Sequence, residues 1–158
     1  AIRPVNALSH YTDWTVGHVH SGVLGWVAMI VFGSFYTLVP WLWGRQTMYS
    51  TKLIEVHFWL ALVGTLIYVF AMWNSGIIQG LMWRAYNEDG GLAYSFIDSV
   101  AAMEPYYYAR AFGGFLFFAG SVICLYNIWQ TIIQKEEKLI CQPDQMPIKS
   151  TTVAGIGS

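Results

Sequence analysis

Charge is scarce in this chain. Asp, Glu, Lys and Arg together make up 11% of its 158 residues, and the formal net charge is -1 at pH 7. Such a balance excludes a nucleic-acid partner, which would need a basic face. Cysteine is scarcer still, with Cys124 in an apolar run and Cys141 in a polar tail, so no disulfide is expected between them. None of the apolar runs reads as a secretory signal: all are too long, and the first has no basic flank.

Where charge is absent, apolar residues accumulate, to 56% hydrophobic and 17% aromatic. Thr15 to Trp43, Val56 to Trp83 and Ala111 to Gln134 contain no Asp, Glu, Lys or Arg. Each exceeds the roughly 20 residues that a bilayer core requires. The composition predicts an all-α membrane protein with three transmembrane helices, over about 15–43, 56–78 and 108–134. Residues 1–134 form the membrane unit in this reading, and 135–158 a disordered cytoplasmic tail. A polar lead-in, Ala1 to Asp13, precedes the first span, and a long acidic and aromatic loop runs from Gln79 to Pro105. Five of the eight basic residues lie in the first connection and the tail. By the positive-inside rule those segments face the cytoplasm, and the first helix runs from outside to inside.

One pair of ionisable residues interrupts the first run: Gly17-His18-Val19-His20. Helical residues advance by about 100°, so positions two apart diverge by roughly 200°. The imidazoles then leave opposite sides of one helix and cannot chelate a single metal. Each can instead be axial ligand to its own flat cofactor, and haem needs only one histidine per side. Ser21, Gly22 and Gly25 continue the His18 face as a strip of small residues. Val16, Val23, Leu24 and Val27 make an apolar wall beside His20. Small residues also serve plain helix packing. Histidines inside a span, however, are costly and mark function. The chain has no Cys-x-x-Cys-His, so the haems would be bound non-covalently. Three helices are too few to wall two haems, which points to a piece of a longer subunit.

The stretch from Val5 through His10-Tyr11-Thr12-Asp13-Trp14 to His18-Val19-His20-Ser21-Gly22 resembles the catalytic subunit of cbb3-type cytochrome c oxidases, in the haem–copper oxidase superfamily. Gln79-Gly80-Leu81-Met82-Trp83-Arg84-Ala85-Tyr86, and Pro105-Tyr106-Tyr107 through Arg110 to Gly113-Gly114, are similar to the same subunit's C-terminal part. The resemblance covers roughly residues 5–134 and implies the last three helices of a longer chain. It implies two haem b groups: His18 as proximal ligand of the high-spin one, and His20 as one of two ligands of the low-spin one. It places Arg84 at the haem propionates, where a guanidinium suits a carboxylate. The alternative for Arg84 is a surface role balancing Glu88 and Asp89.

The implied activity is reduction of oxygen to water by electrons from cytochrome c, coupled to proton translocation. The enzyme would lie in a bacterial inner membrane, with cytochrome c-type subunits as partners. The copper ligands and the other low-spin ligand would lie in earlier helices, so residues 1–158 alone are expected to be inactive. His10 reads as a solvated loop residue, with a place near the haem propionates as its alternative, and His57 as an interfacial or helix-packing one. Two alternatives stand beside this reading: a nitric oxide reductase catalytic subunit, and a haem-free membrane segment that holds subunits together.

Overall fold

The computed structural model describes residues 2–134, and the tail from residue 135, with Cys141, lies outside the described residues. The described chain is helical, and its one β-type pairing is an isolated bridge between Tyr86 and Leu92. Three helical stretches are long and apolar enough to cross a membrane: Asp13–Leu42, Thr51–Met82 and Phe96–Ile133.

The expected lead-in is not simply extended. Pro4 sits in the first turn of a short helix, α1 (Arg3–Ser9), where its missing N–H costs nothing. The first long stretch is then built in three parts: α2 (Asp13–Gly22), a π-helical segment (Val23–Ala28) and α3 (Met29–Leu42). Thr12 caps α2, its Oγ1 accepting from the Trp14 N–H at 3.3 Å. The second long helix, α4, is Thr51–Met82, with Ser50 as its N-cap, and the third, α5, is Phe96–Ile133.

The start of α5 departs from the expected loop between Gln79 and Pro105. Ser95 and Asp98 form a reciprocal capping box: Ser95 Oγ accepts from the Asp98 N–H at 3.2 Å, and Asp98 Oδ2 accepts from the Ser95 N–H at 2.9 Å. That cap starts the helix before the charged residues end, and the helix continues through Pro105. The non-helical connection shrinks to 83–95. Within it, the Tyr86–Leu92 bridge closes a small hairpin in which Gly90 adopts φ +80°, a left-handed value natural to glycine.

The α4–α5 pair is the backbone of the bundle. It crosses at Gly64 and Gly113, where a Cβ on Gly64 would lie 2.6 Å from the Gly113 carbonyl oxygen. Close approach through small residues replaces the hydrophobic drive that lipid removes. Buried side chains are therefore few, among them Ala61, Met72, Met103 and Cys124. Large apolar groups face outward instead, with Trp26 at 70% and Phe118 at 65% exposure, as a membrane surface requires. At one end, α5 ties down the connection that precedes α4. Asn127 accepts from the Ser50 N–H at 3.0 Å and donates to its carbonyl at 2.9 Å, while Thr131 Oγ1 accepts from the Tyr49 N–H at 2.9 Å.

Candidate functional site

Gly17 is the buried point at which α2 meets α4. A Cβ there would come 2.8 Å from Trp73 Cδ1 and 2.9 Å from Met72 Cβ, so the contact admits no side chain. With Gly17 turned to α4, helix geometry sends His18 to one flank and His20 to the other. Different neighbours hold the two rings. His18 is exposed and stacks on Trp14, one turn earlier, with centroids 5.2 Å apart and planes 9° from parallel. His20 is half-buried against Tyr68 of α4, at 4.9 Å between centroids.

Each imidazole keeps ligating capacity. His20 Nδ1 lies 2.8 Å from the Val16 carbonyl, so Nδ1 carries the proton and Nε2 is left as the lone-pair nitrogen. A histidine that ligates a metal is commonly oriented by such a bond. Beside His18, the position of a Gly22 Cβ has nothing within 4 Å, which leaves that flank open to a flat group. Next to the Trp14–His18 stack, the buried Trp73 indole N–H has no partner among the described residues.

The small-residue strip needs one correction. Gly25 does not continue the His18 face, because its Cβ position lies 3.8 Å from the Thr65 methyl on α4. The π-helical segment begins at Val23, and i→i+5 bonding takes more residues per turn than the α-helical count assumes. Leu24 and Val27 lie in the same segment, so their expected place on a wall beside His20 rests on a count that no longer applies.

The other expected residues sit apart from this pair. Arg84 is exposed just past the end of α4, and Gln79, one turn and a residue before it, accepts from the Asp13 N–H at 2.9 Å. Arg84 therefore shares an end of the bundle with the start of α2. His10 ends α1, exposed, its ring 4.0 Å from that of Tyr11, which holds φ 63°. His57 is 1% exposed and sits toward the opposite end of α4, about 16 Å from Tyr68 at 1.5 Å per residue. Its Nδ1 shares a hydrogen bond with the Tyr36 hydroxyl, and Phe32 meets its ring edge-on at 4.5 Å. Tyr36 also contacts Cys124, so His57 belongs to a three-helix junction. No group of three or more His, Cys, Asp or Glu suited to a metal occurs among the described residues.

With this geometry fixed, similarity to known proteins becomes specific. Residues 1–116 match the family described as cytochrome c and quinol oxidase polypeptide I. The chain belongs to that family. Within it, the chain is 55% identical over 148 residues to the cytochrome c oxidase subunit 1 homolog, bacteroid, of Bradyrhizobium diazoefficiens, covering 94% of this chain and 26% of the relative. It is 57% identical over 132 residues to the cbb3-type cytochrome c oxidase subunit CcoN1 of Stutzerimonas stutzeri, covering 84% of this chain and 28% of the relative. Similarity falls to 27% over 132 residues for a nitric oxide reductase subunit of Stutzerimonas stutzeri, covering 82% of this chain and 27% of that protein. The chain thus spans about a quarter of the length of the curated relatives it matches.

Membership of the oxidase polypeptide I family, with three spanning helices, makes this a multi-pass membrane protein. The family implies haem and copper as cofactors and a larger subunit I within a complex. The residues present fit the haem part of that implication. Two imidazoles leave the helix on separate flanks, one has its Nδ1 satisfied by backbone, and the other borders open space at Gly22.

Proposed function

We propose that this chain is the C-terminal, three-helix part of a cbb3-type oxidase catalytic subunit, which reduces oxygen to water with electrons from cytochrome c and couples this to proton translocation. His18 is the proximal ligand of the high-spin haem b, and His20 is one of two axial ligands of the low-spin haem b. The copper ligands and the second low-spin ligand belong to the remainder of subunit I, and cytochrome c-type subunits of the complex deliver electrons. Iron held in this way supplies one-electron chemistry and, where a coordination position stays open, a place for oxygen.

The observation that carries the reading is the split of two histidines around Gly17. Trp14 sets the plane of the His18 ring by stacking. Val16 fixes the His20 tautomer through its carbonyl, presenting Nε2 outward from the helix. Because one helix bears both histidines, the groups they would hold would be linked through few bonds. Arg84 is exposed at the same end as the start of α2, which supports a role for it at the haem propionates. The identity of 57% to a cbb3-type subunit, against 27% to the nitric oxide reductase subunit, favours oxygen as substrate.

Replacing each histidine in the full-length subunit separates the roles. His20→Ala is expected to abolish the low-spin signal while leaving haem that binds carbon monoxide. His18→Ala is expected to remove the carbon monoxide-binding site and spare the low-spin spectrum. Optical and carbon monoxide difference spectra read both. Exchange of the two effects would reverse the roles, and two unaltered spectra would overturn ligation.

A further inference from the structure

The first turn of α2 is held by more than its cap. Asp13 Oδ2 accepts a hydrogen bond from Ser75 Oγ of α4 at 2.8 Å, and Ser75 is fully buried, 3.0 Å from Met103 Sδ of α5. The Asp13 N–H donates to Gln79 Oε1, one turn further along α4. Tyr107 of α5 lies close to the same carboxylate, and the Arg110 guanidinium lies 4.8 Å over the Tyr107 ring. Between Ser75 and Gln79, Gly76 lets the Trp14 backbone lie against α4, where a Cβ would overlap it. One carboxylate therefore joins three helices.

The register of this junction matters for the pair of histidines. Asp13 and Gly17 are four residues apart and share the face turned to α4. His20 is seven residues from Asp13, nearly two turns, or about 10.5 Å along the axis. A helix pinned at Asp13 and pressed at Gly17 has its rotation about its own axis and its depth against α4 both set. Rotation is the movement to which the two imidazoles are most sensitive. It would carry one ring toward α4 as it carried the other away.

We propose that Asp13 is a positioning residue: through Ser75 and Gln79 it locks the rotation of α2 on α4, and so sets the orientation of both His18 and His20 at once. The inference rests on the haem-ligand reading of those histidines. It goes beyond that reading in naming the carboxylate and hydroxyl that fix the ligands, with Asp13 five and seven residues before them in the chain.

The test uses the full-length subunit in its purified complex, with variants Ser75→Ala, Asp13→Ala and Asp13→Asn. Ser75→Ala removes the hydroxyl without altering charge. Asp13→Asn keeps an oxygen able to accept from Ser75. Two signatures report ligand orientation without relying on turnover: the iron–histidine stretching band of the reduced high-spin haem, and the low-spin ferric electron paramagnetic resonance signal. Both alanine variants are expected to shift both signatures together at unchanged haem content, and Asp13→Asn to restore them. Wild-type signatures in Ser75→Ala and Asp13→Ala would overturn the proposal. So would loss of haem content in step with thermal stability in all three variants, since that marks a folding role alone. His18→Ala and His20→Ala, measured alongside, keep the two failures apart. If they leave both signatures intact, the ligand reading fails and takes this one with it; if they abolish them, the outcome for Asp13 stands by itself.

Discussion

At the scale of single residues, two buried contacts on α4 make opposite demands. Gly17 must be small, because its Cβ position is already occupied by Trp73 and Met72. Tyr36 must keep its hydroxyl, because it is the partner of a His57 whose other nitrogen has none among the described residues. Gly17→Ala forces α2 away from α4 or bends the Trp73 ring, an overpacking cost on the order of 1–3 kcal/mol. It is expected to lower the thermal midpoint of the purified complex and to perturb both haem spectra, since Gly17 lies between the flanks that carry the two proposed ligands. Tyr36→Phe leaves His57 Nδ1 buried without its partner, with a penalty of about 1–3 kcal/mol. Its midpoint should fall by a similar amount while both haem spectra stay unchanged. Thermal scans followed by optical spectra distinguish the two, and a spectral change in Tyr36→Phe would show that the His57 junction reaches the cofactors.

Among the elements, some are legible in the residues and others are not. The three charge-free runs predict three long helices, because length and apolarity alone decide what can cross a bilayer. The opposed faces of His18 and His20 are legible too, since only the helical angle is needed and α2 is regular through Gly22. Gly25 falls on the wrong face in a simple helical count because nothing in Val-Leu-Gly-Trp-Val-Ala announces a π-helical segment. The early start of α5 is hidden behind Pro105 and the acidic residues, although Ser95-Phe96-Ile97-Asp98 carries the cap and the N3 acid. Asp13 looks like the end of a polar lead-in, because its partners Ser75 and Gln79 lie more than 60 residues away in the chain. The capping box is open to test. Ser95→Ala removes the hydroxyl that accepts from the Asp98 N–H, a loss of about 1 kcal/mol at an exposed helix start. Amide exchange is expected to quicken by roughly fivefold over 97–99 while staying slow beyond Tyr106. Unchanged exchange in the first turn would mean that packing of Ser99 and Met103, not the cap, begins the helix.

For the whole molecule, the decisive quantity is which end faces which side of the membrane. One end gathers α1, the start of α2, the end of α4 with Arg84, and the start of α5. The other gathers Arg45 and Lys52 around the connection that Asn127 and Thr131 of α5 tie down. Helices of 30, 32 and 38 residues measure about 45, 48 and 57 Å at 1.5 Å per residue, against a hydrocarbon core near 30 Å. Each therefore reaches beyond the core, and α5 most of all. Basic residues resist transfer, so the Arg45–Lys52 end and the lysine-bearing tail are expected in the cytoplasm, with the histidine end outside. Impermeant thiol labelling of intact cells reads this directly in the full-length subunit. Of the two cysteines in residues 1–158, Cys124 is buried, so Cys141 and an introduced Asn87→Cys in the exposed hairpin serve as reporters, each read against the matching protein without it. The Asn87→Cys protein is expected to gain a label in intact cells that the parent lacks, and Cys141 to react only once the membrane is opened. The reverse pattern would invert the bundle. It would move His18 and His20 to the cytoplasmic half, and so count against the proposed delivery of electrons from an external cytochrome c.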